Sequence, residues 1–176
     1  MPQRPTSDSV LPLNDDIARD VICDVADDIL SASSARLVLD TNVVVCAVRS
    51  SGGPSGQLLD AARRRQFRMV LTVALTLEYE AVITREEHLA ASGMSKSDVL
   101  ALLNEMLSLA DLVECPFSYR PTLPDPEDEM VLEAAINGYA DLLVTRNVRH
   151  FLPEAETFEL RVVSPSEAIR WLEEHS

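Results

Sequence analysis

Cysteine is scarce in this chain. Its three copies, Cys23, Cys46 and Cys115, lie far apart and make no CxxC pair. That spacing excludes a zinc-ribbon site and a disulfide framework, and it fits a reducing, cytosolic compartment. No apolar run approaches the roughly 20 residues that a membrane-spanning helix needs, so no membrane partner is expected. Residues 1–13 lack the basic start and apolar stretch of a secretory leader. Glycine is also sparse. GxxxxGK[ST] is missing, and Gly52, Gly53 and Gly56 do not space as GxGxxG, which excludes the common nucleotide-binding loops. His88, His150 and His175 show neither HExxH nor paired-ligand spacing and read as surface or structural residues. There is no internal repeat and no low-complexity tract.

What remains is a globular, acidic chain. Its 176 residues suffice for one domain with a substantial core, and 47% of them are apolar. The net charge is −14, of which residues 1–35 carry −5 through seven Asp and two Arg. Such a charge disfavours a nucleic-acid partner, whose backbone is usually held by Lys and Arg. Carboxylates that bind divalent cations would offset part of it. Fourteen of the fifteen basic residues are arginine and the only lysine is Lys96. Arginine suits bidentate phosphate contacts. Arg63-Arg64-Arg65 with Arg68 reads either as a phosphate patch or as a helix end whose cations complement the dipole.

Two regions are expected: an acidic tail and helix over 1–35, and a core domain over 36–176. Asn14 caps an expected helix to about Leu30, with Ile17, Val21, Val25 and Ile29 on one stripe. Strand Leu37–Asp40 opens the core, followed by a short helix through Val48. Pro54 starts a second helix, to about Arg65. Arg68–Leu71 reads as a strand, and Thr72 caps a helix through about Ala90. Gly93 breaks the pattern, and Ser95 with Asp98 resembles a capping box for a helix to about Leu109. A short strand over Leu112–Glu114, a loop over Pro116–Pro124 and a helix opened by Asp125 and running to Asn137 follow. Leu142–Thr145 and Leu160–Val163 are strands. Ser164-Pro165-Ser166-Glu167 starts the last helix. This alternation implies a three-layer α/β/α fold with a mostly parallel sheet.

Three carboxylates carry the candidate chemistry. Asp40 ends the run Arg36-Leu37-Val38-Leu39, and ligands of open parallel sheets bind outside the carboxyl ends of the strands. A plain helix cap is the competing reading, and Thr41 and Asn42 are placed to orient the carboxylate. Glu78 falls within an apolar stripe of Ala74, Leu75, Leu77, Ala81 and Val82. A carboxylate there needs a partner or a metal; a salt bridge or a solvent-open stripe edge is the alternative. Asp128 belongs to an acid-dense helix start with Asp125, Glu127 and Glu129, more acids than capping requires, and it aligns with Val131, Leu132 and Ala135. Three carboxylates from separate segments make an oxygen cage suited to Mg²⁺ or Mn²⁺. The matching reaction is phosphodiester hydrolysis. Clustered acids also titrate as a coupled set. Receiver domains and haloacid-dehalogenase-like phosphatases, which also end a strand in Asp, need a lysine at a later strand end, and Lys96 sits at a helix start instead.

LVLDTNVVV, LEYEAVI, DPEDEMVLEAA and ADLLVTRNVRHF occur in this order, and the set resembles the PIN-domain ribonucleases, VapC-type toxins above all, over about residues 36–172. The resemblance implies a Mg²⁺- or Mn²⁺-dependent endoribonuclease, often a homodimer, inhibited by a small antitoxin whose tail enters the active site. On it, Asp40, Glu78 and Asp128 are the catalytic and metal-binding acids. Asn147 takes the fourth metal position, where a carboxylate is common, and that substitution bears on a second metal. Thr41, Asn42 and Thr145 support the site, and Arg146 and Arg149 are candidate RNA contacts. Asp141, at a strand start, reads as structural. A catalytically weak PIN scaffold that binds RNA or a protein is the alternative, and a DNA or flap nuclease is a third reading.

Overall fold

The computed structural model describes residues 34–118, 123, 125–152 and 154–175. The expected helix over 14–30 lies outside the described residues. So do four residues of the loop after Pro116, 119–122, and Pro124.

Five short strands form one parallel sheet: β1 (Arg36–Leu39), β2 (Arg68–Leu71), β3 (Ala110–Leu112), β4 (Leu142–Val144) and β5 (Arg161–Val163), in the order β3-β2-β1-β4-β5. β1, β2 and β4 are almost continuously apolar and almost wholly buried, as strands covered on both faces must be. Between β1 and β2 lie α1 (Thr41–Arg49) and α2 (Pro54–Arg63). α3 (Val73–Ile83), α4 (Glu86–Ser92) and α5 (Lys96–Leu109) lead to β3, and α6 (Glu129–Asn137) crosses back to β4. α7 (Val148–Phe151) and α8 (Glu154–Thr157) precede β5, and α9 (Pro165–His175) ends the fold. Steps β1 to β2 to β3 run one way and β4 to β5 the other. Right-handed crossovers then put α1 to α5 on one face and α6 on the other, which is the three-layer α/β/α arrangement.

Strand order reverses between β1 and β4. Leu37 pairs with Leu142, Val38 with Leu143 and Leu39 with Val144. Their next residues, Asp40 and Thr145, therefore emerge side by side at the carboxyl ends of adjacent strands. That is the crevice where open α/β sheets bind ligands. At the opposite ends the charges pair locally. Asp141 accepts a hydrogen bond from the Arg36 amide at 2.7 Å, and Asp111 holds both Arg36 and Arg68. Asp141 is thus placed away from the crevice, as expected of a structural residue.

Two boundaries differ from expectation. The helix expected from Thr72 to about Ala90 breaks at Thr84 and Arg85, and Arg85 takes an extended conformation. The Thr84 hydroxyl donates to the Glu80 carbonyl and helps finish the first helix. With no Gly or Pro there, the apolar pattern runs on unbroken across the stop. β3 begins at Ala110, directly after α5, rather than at Leu112. Pairing with Met69 through Leu71 sets its register, which a three-residue strand cannot announce by alternation. The capping box at Ser95 and Asp98 forms as expected, and Gly93 closes α4 at φ 69°.

Gly138, after α6, is required by close approach. A Cβ there would lie 2.3 Å from Val70 Cγ1 and 2.7 Å from the Ala134 carbonyl oxygen. Gly138→Ala should lower stability by about 1–3 kcal/mol, the usual cost of overpacking, measured as a shift in urea midpoint at constant slope.

Candidate metal and nucleic-acid site

The crevice between β1 and β4 opens into a cleft of about 340 Å³, and Asp40, Glu78, Asp128 and Asn147 all line it. Each arrives by a separate local device.

Asp40 follows β1 and caps α1; its carboxylate accepts from the Asn42 amide at 3.3 Å. The Asn42 side-chain amide and the Thr145 hydroxyl each donate to its other oxygen at 2.5 Å. Thr145 is fully buried and also accepts from the Asn147 amide at 3.0 Å. Asn42 Oδ1 accepts from the Arg146 amide at 3.1 Å. Asn42 and Thr145 thus tie the two strand ends together around one carboxylate. Thr41, the first residue of α1, lines the cleft.

Glu78 reaches the cleft because its neighbour is anchored. Tyr79 is fully buried, and its hydroxyl donates to the Leu39 carbonyl at the end of β1. Burial raises the Tyr79 pKa well above its usual value, and the Asp40 charge adds to this, so the phenol stays a donor. The face that α3 buries is not the expected one. Leu75, Tyr79, Val82 and Ile83 are buried, whereas Ala74, Leu77 and Ala81 are exposed with Val73. A helix apolar on nearly every side carries no periodic signal for its core face. Glu78 is half-buried at the edge of the true face.

Asp128 comes before α6 rather than in its third position. Asp125 organises a preceding turn, its carboxylate accepting from the Glu127 amide at 3.0 Å. Glu129 points inward instead: it is 2% exposed and accepts from the Leu123 amide at 2.8 Å. The acid-dense segment therefore divides its work between site and core. Asp128 Oδ2 lies 3.0 Å from His150 Nδ1, so His150, read from sequence as surface or structural, stands in the cleft. Asp125, Asp128 and His150 offer ligand atoms all within 4.8 Å of one another. Two carboxylates with an imidazole suit a divalent cation that accepts nitrogen as well as oxygen.

The cationic residues also sort differently from expectation. Arg146 lines the cleft, joined by Arg49 and Arg85; Arg149 is exposed and outside that lining. Arg49 was legible in principle, since Asn42, Cys46 and Arg49 are spaced i, i+4, i+7 on α1. Glu78, Val82 and Arg85 repeat that spacing, although Arg85 sits just past the end of α3. Two members of the candidate phosphate patch are otherwise occupied: Arg63 is forked onto Glu105 at 2.8 Å and bonds Asp60, and Arg68 pairs with Asp111.

A model of the PIN domain family matches residues 36–149, which hold all of these groups except His150, the next residue. The chain belongs to the PIN-domain family. A chain in the crystal structure of VapBC2 from Rickettsia felis, bound to a DNA fragment from their promoter, shares the fold. The match covers 73% of this PIN protein and 98% of that chain at 17% identity, with a TM-score of 0.51.

Electrostatics set the pH range of the PIN cleft. Asp40 is 4% exposed, and burial raises its pKa from 3.8 to about 6, against the lowering effect of Thr145 and Asn42; the Asp128 charge raises it slightly further. Burial raises Asp128 as well, with the His150 contact opposing. A carboxyl raised on folding stabilises the fold below its unfolded pKa, and that contribution is lost as pH rises through the folded value. Without divalent cations, wild type should therefore lose about 2 kcal/mol relative to Asp40→Asn between pH 4.5 and pH 8. Urea unfolding of both proteins in EDTA at the two pH values measures this. Equal pH dependence would remove the buried charge from Asp40.

Proposed function

We propose that this PIN protein is a divalent-metal-dependent endoribonuclease, the toxin of a toxin–antitoxin pair. The observation that carries the reading is the meeting of Asp40, Glu78, Asp128 and Asn147 in one cleft at the reversal of strand order. The chemistry of the set fits a hard cation, three carboxylates with the Asn147 amide in place of a fourth charge, although Asp40, Glu78 and Asp128 do not all lie within 4.8 Å of one another as Asp125, Asp128 and His150 do. Asp40, Glu78 and Asp128 would hold Mg²⁺ or Mn²⁺, and His150 beside Asp128 adds a nitrogen donor that favours Mn²⁺. Bound there, the cation supplies Lewis acidity and neutralises phosphodiester charge.

The remaining steps fall to the protein. Asn42 and Thr145 hold the Asp40 carboxylate in one orientation, and little reorganisation is then needed when ligand arrives. Arg49, Arg85 and Arg146 line the cleft with guanidinium groups that match phosphate oxygens. The VapBC2 likeness supports a small antitoxin as partner. A second copy of the chain is the proposed cover for the exposed apolar side of α3, where Val73 is 70% and Leu77 60% exposed. A scaffold that binds without cutting is a weaker reading, because capping α1 and joining the strand ends asks nothing of Glu78, Asp128 and Asn147 beside Asp40.

Asp40→Asn, Glu78→Gln and Asp128→Asn should each reduce Mn²⁺-dependent cleavage of a defined RNA. The loss should exceed the 10- to 100-fold typical of an outer-shell partner, with circular dichroism unchanged. Three variants that cut like wild type would remove the site. Asn147→Asp should tighten Mn²⁺ binding in a calorimetric titration. For the apolar face, Leu77→Lys should shift a dimer toward monomer in sedimentation equilibrium without lowering the melting temperature.

A further inference from the structure

Beside the cleft lies a second pocket, of about 350 Å³, which shares Cys46 and Arg146 with it. Two helices begin there: Gly53, Pro54 and Ser55 open α2, and Ser164, Pro165 and Ser166 open α9. α2 has no side-chain cap. Its first residue, Pro54, has no N–H to offer, and the Ser55 and Gly56 amides have no acceptor among the described residues. Ser55 is 7% exposed, lines the pocket, and its hydroxyl has no hydrogen-bond partner among the described residues. The residue is nearly buried, yet its hydroxyl is not spent on the fold and is left to the pocket.

The other contributors are the start of α9, which already carries a carboxylate, and one guanidinium. At α9 the Ser164 hydroxyl and amide are engaged by Glu167, which is exposed and turned to capping. Arg146 places its guanidinium against Cys46 Sγ, a weak acceptor that an oxyanion outcompetes. The uncapped N-terminus of α2, a waiting hydroxyl and a guanidinium, with the Ser166 end of the capped α9 beside them, suit a tetrahedral oxyanion.

We propose that this pocket is a subsite for one backbone phosphate of the RNA strand, next to the phosphate held in the acidic cleft. The proposal rests on the nuclease reading above. It also answers a difficulty of charge. A chain of net −14 holds a polyanion here mainly with backbone amides and helix ends, and spends one arginine on it.

Gly53→Asp tests this. Gly53 has φ −86°, and a Cβ there meets nothing within 4 Å. The new carboxylate caps α2, which favours the fold, and puts negative charge in the subsite. A loss of structure lowers stability and RNA binding together, whereas loss of the subsite lowers binding alone. Binding is read by fluorescence anisotropy of a labelled oligoribonucleotide at low salt in EDTA, and the anion site by amide shifts of Ser55, Gly56 and Ser166 during titration with inorganic phosphate. Gly53→Asp should weaken RNA binding about tenfold at an equal or higher melting temperature. Ser55→Ala and Arg146→Lys should each weaken it severalfold, and phosphate should move the three amides in wild type alone. If wild type cuts RNA while all three variants bind it like wild type, the subsite is overturned and the nuclease reading stands. If wild type neither binds nor cuts RNA, both are overturned. If an acidic peptide moves these amides and neither phosphate nor RNA does, the subsite belongs to a protein ligand and the proposal fails.

Discussion

Everything in the cleft depends on keeping one carboxylate, that of Asp40, nearly buried between two parallel strands. An isolated buried charge is costly, so the surrounding chain is committed to satisfying it. Asn42 supplies a backbone and a side-chain donor, Thr145 a hydroxyl, and Thr145 in turn is held by the Asn147 amide. These bonds join β1, α1 and the segment after β4 at the point where strand order reverses. Tyr79 fastens α3 to the same strand end through the Leu39 carbonyl. The carboxylate stays hard to ionise even so, because burial outweighs its donors. A cation would relieve that imbalance, and this is the physical sense of a metal at this position.

Much of this was legible beforehand, for identifiable reasons. Asp40 shows because an apolar run stops at a charge, and strand ends are where parallel sheets bind ligands. Asp128 shows through an excess of acids over what a helix start needs. Glu78 was reached by a weaker route, since the apolar stripe around it was not the stripe that packs. Leu77 faces outward and Tyr79 inward, and Tyr79, bonded to the end of β1 and buried with Leu75, Val82 and Ile83, helps set which way Glu78 points. His150 gave no signal because its partner, Asp128, lies 22 residues away and no spacing rule links them. Adjacency left the arginine cluster open between a phosphate patch and a helix end, although Arg146 was named. Arg63 and Arg68 look like a patch in sequence but are spent on Glu105 and Asp111, whereas Arg49, Arg85 and Arg146 come together only in space.

Charge is therefore distributed with a direction. At the amino ends of the strands, Arg36 and Arg68 neutralise Asp111, and Asp141 receives the Arg36 amide. At the carboxyl ends, carboxylates face one another with three guanidinium groups around them. One end of the sheet is internally balanced, and at the other a divalent cation would offset the facing carboxylates. The total charge of the chain says little about this, because the two ends answer to different neighbours.

The hydrogen bond between Thr145 and Asp40 spans 105 residues of sequence. Contacts so distant form only after the chain between them has been ordered. Synthesis proceeds from the N-terminus, so Asp40 and Glu78 leave the ribosome long before Thr145 and Asn147 exist. A nascent chain cannot assemble the cleft until residues 145–147 have been made. Whatever chemistry the finished cleft performs, the growing polypeptide lacks it until those residues are in place.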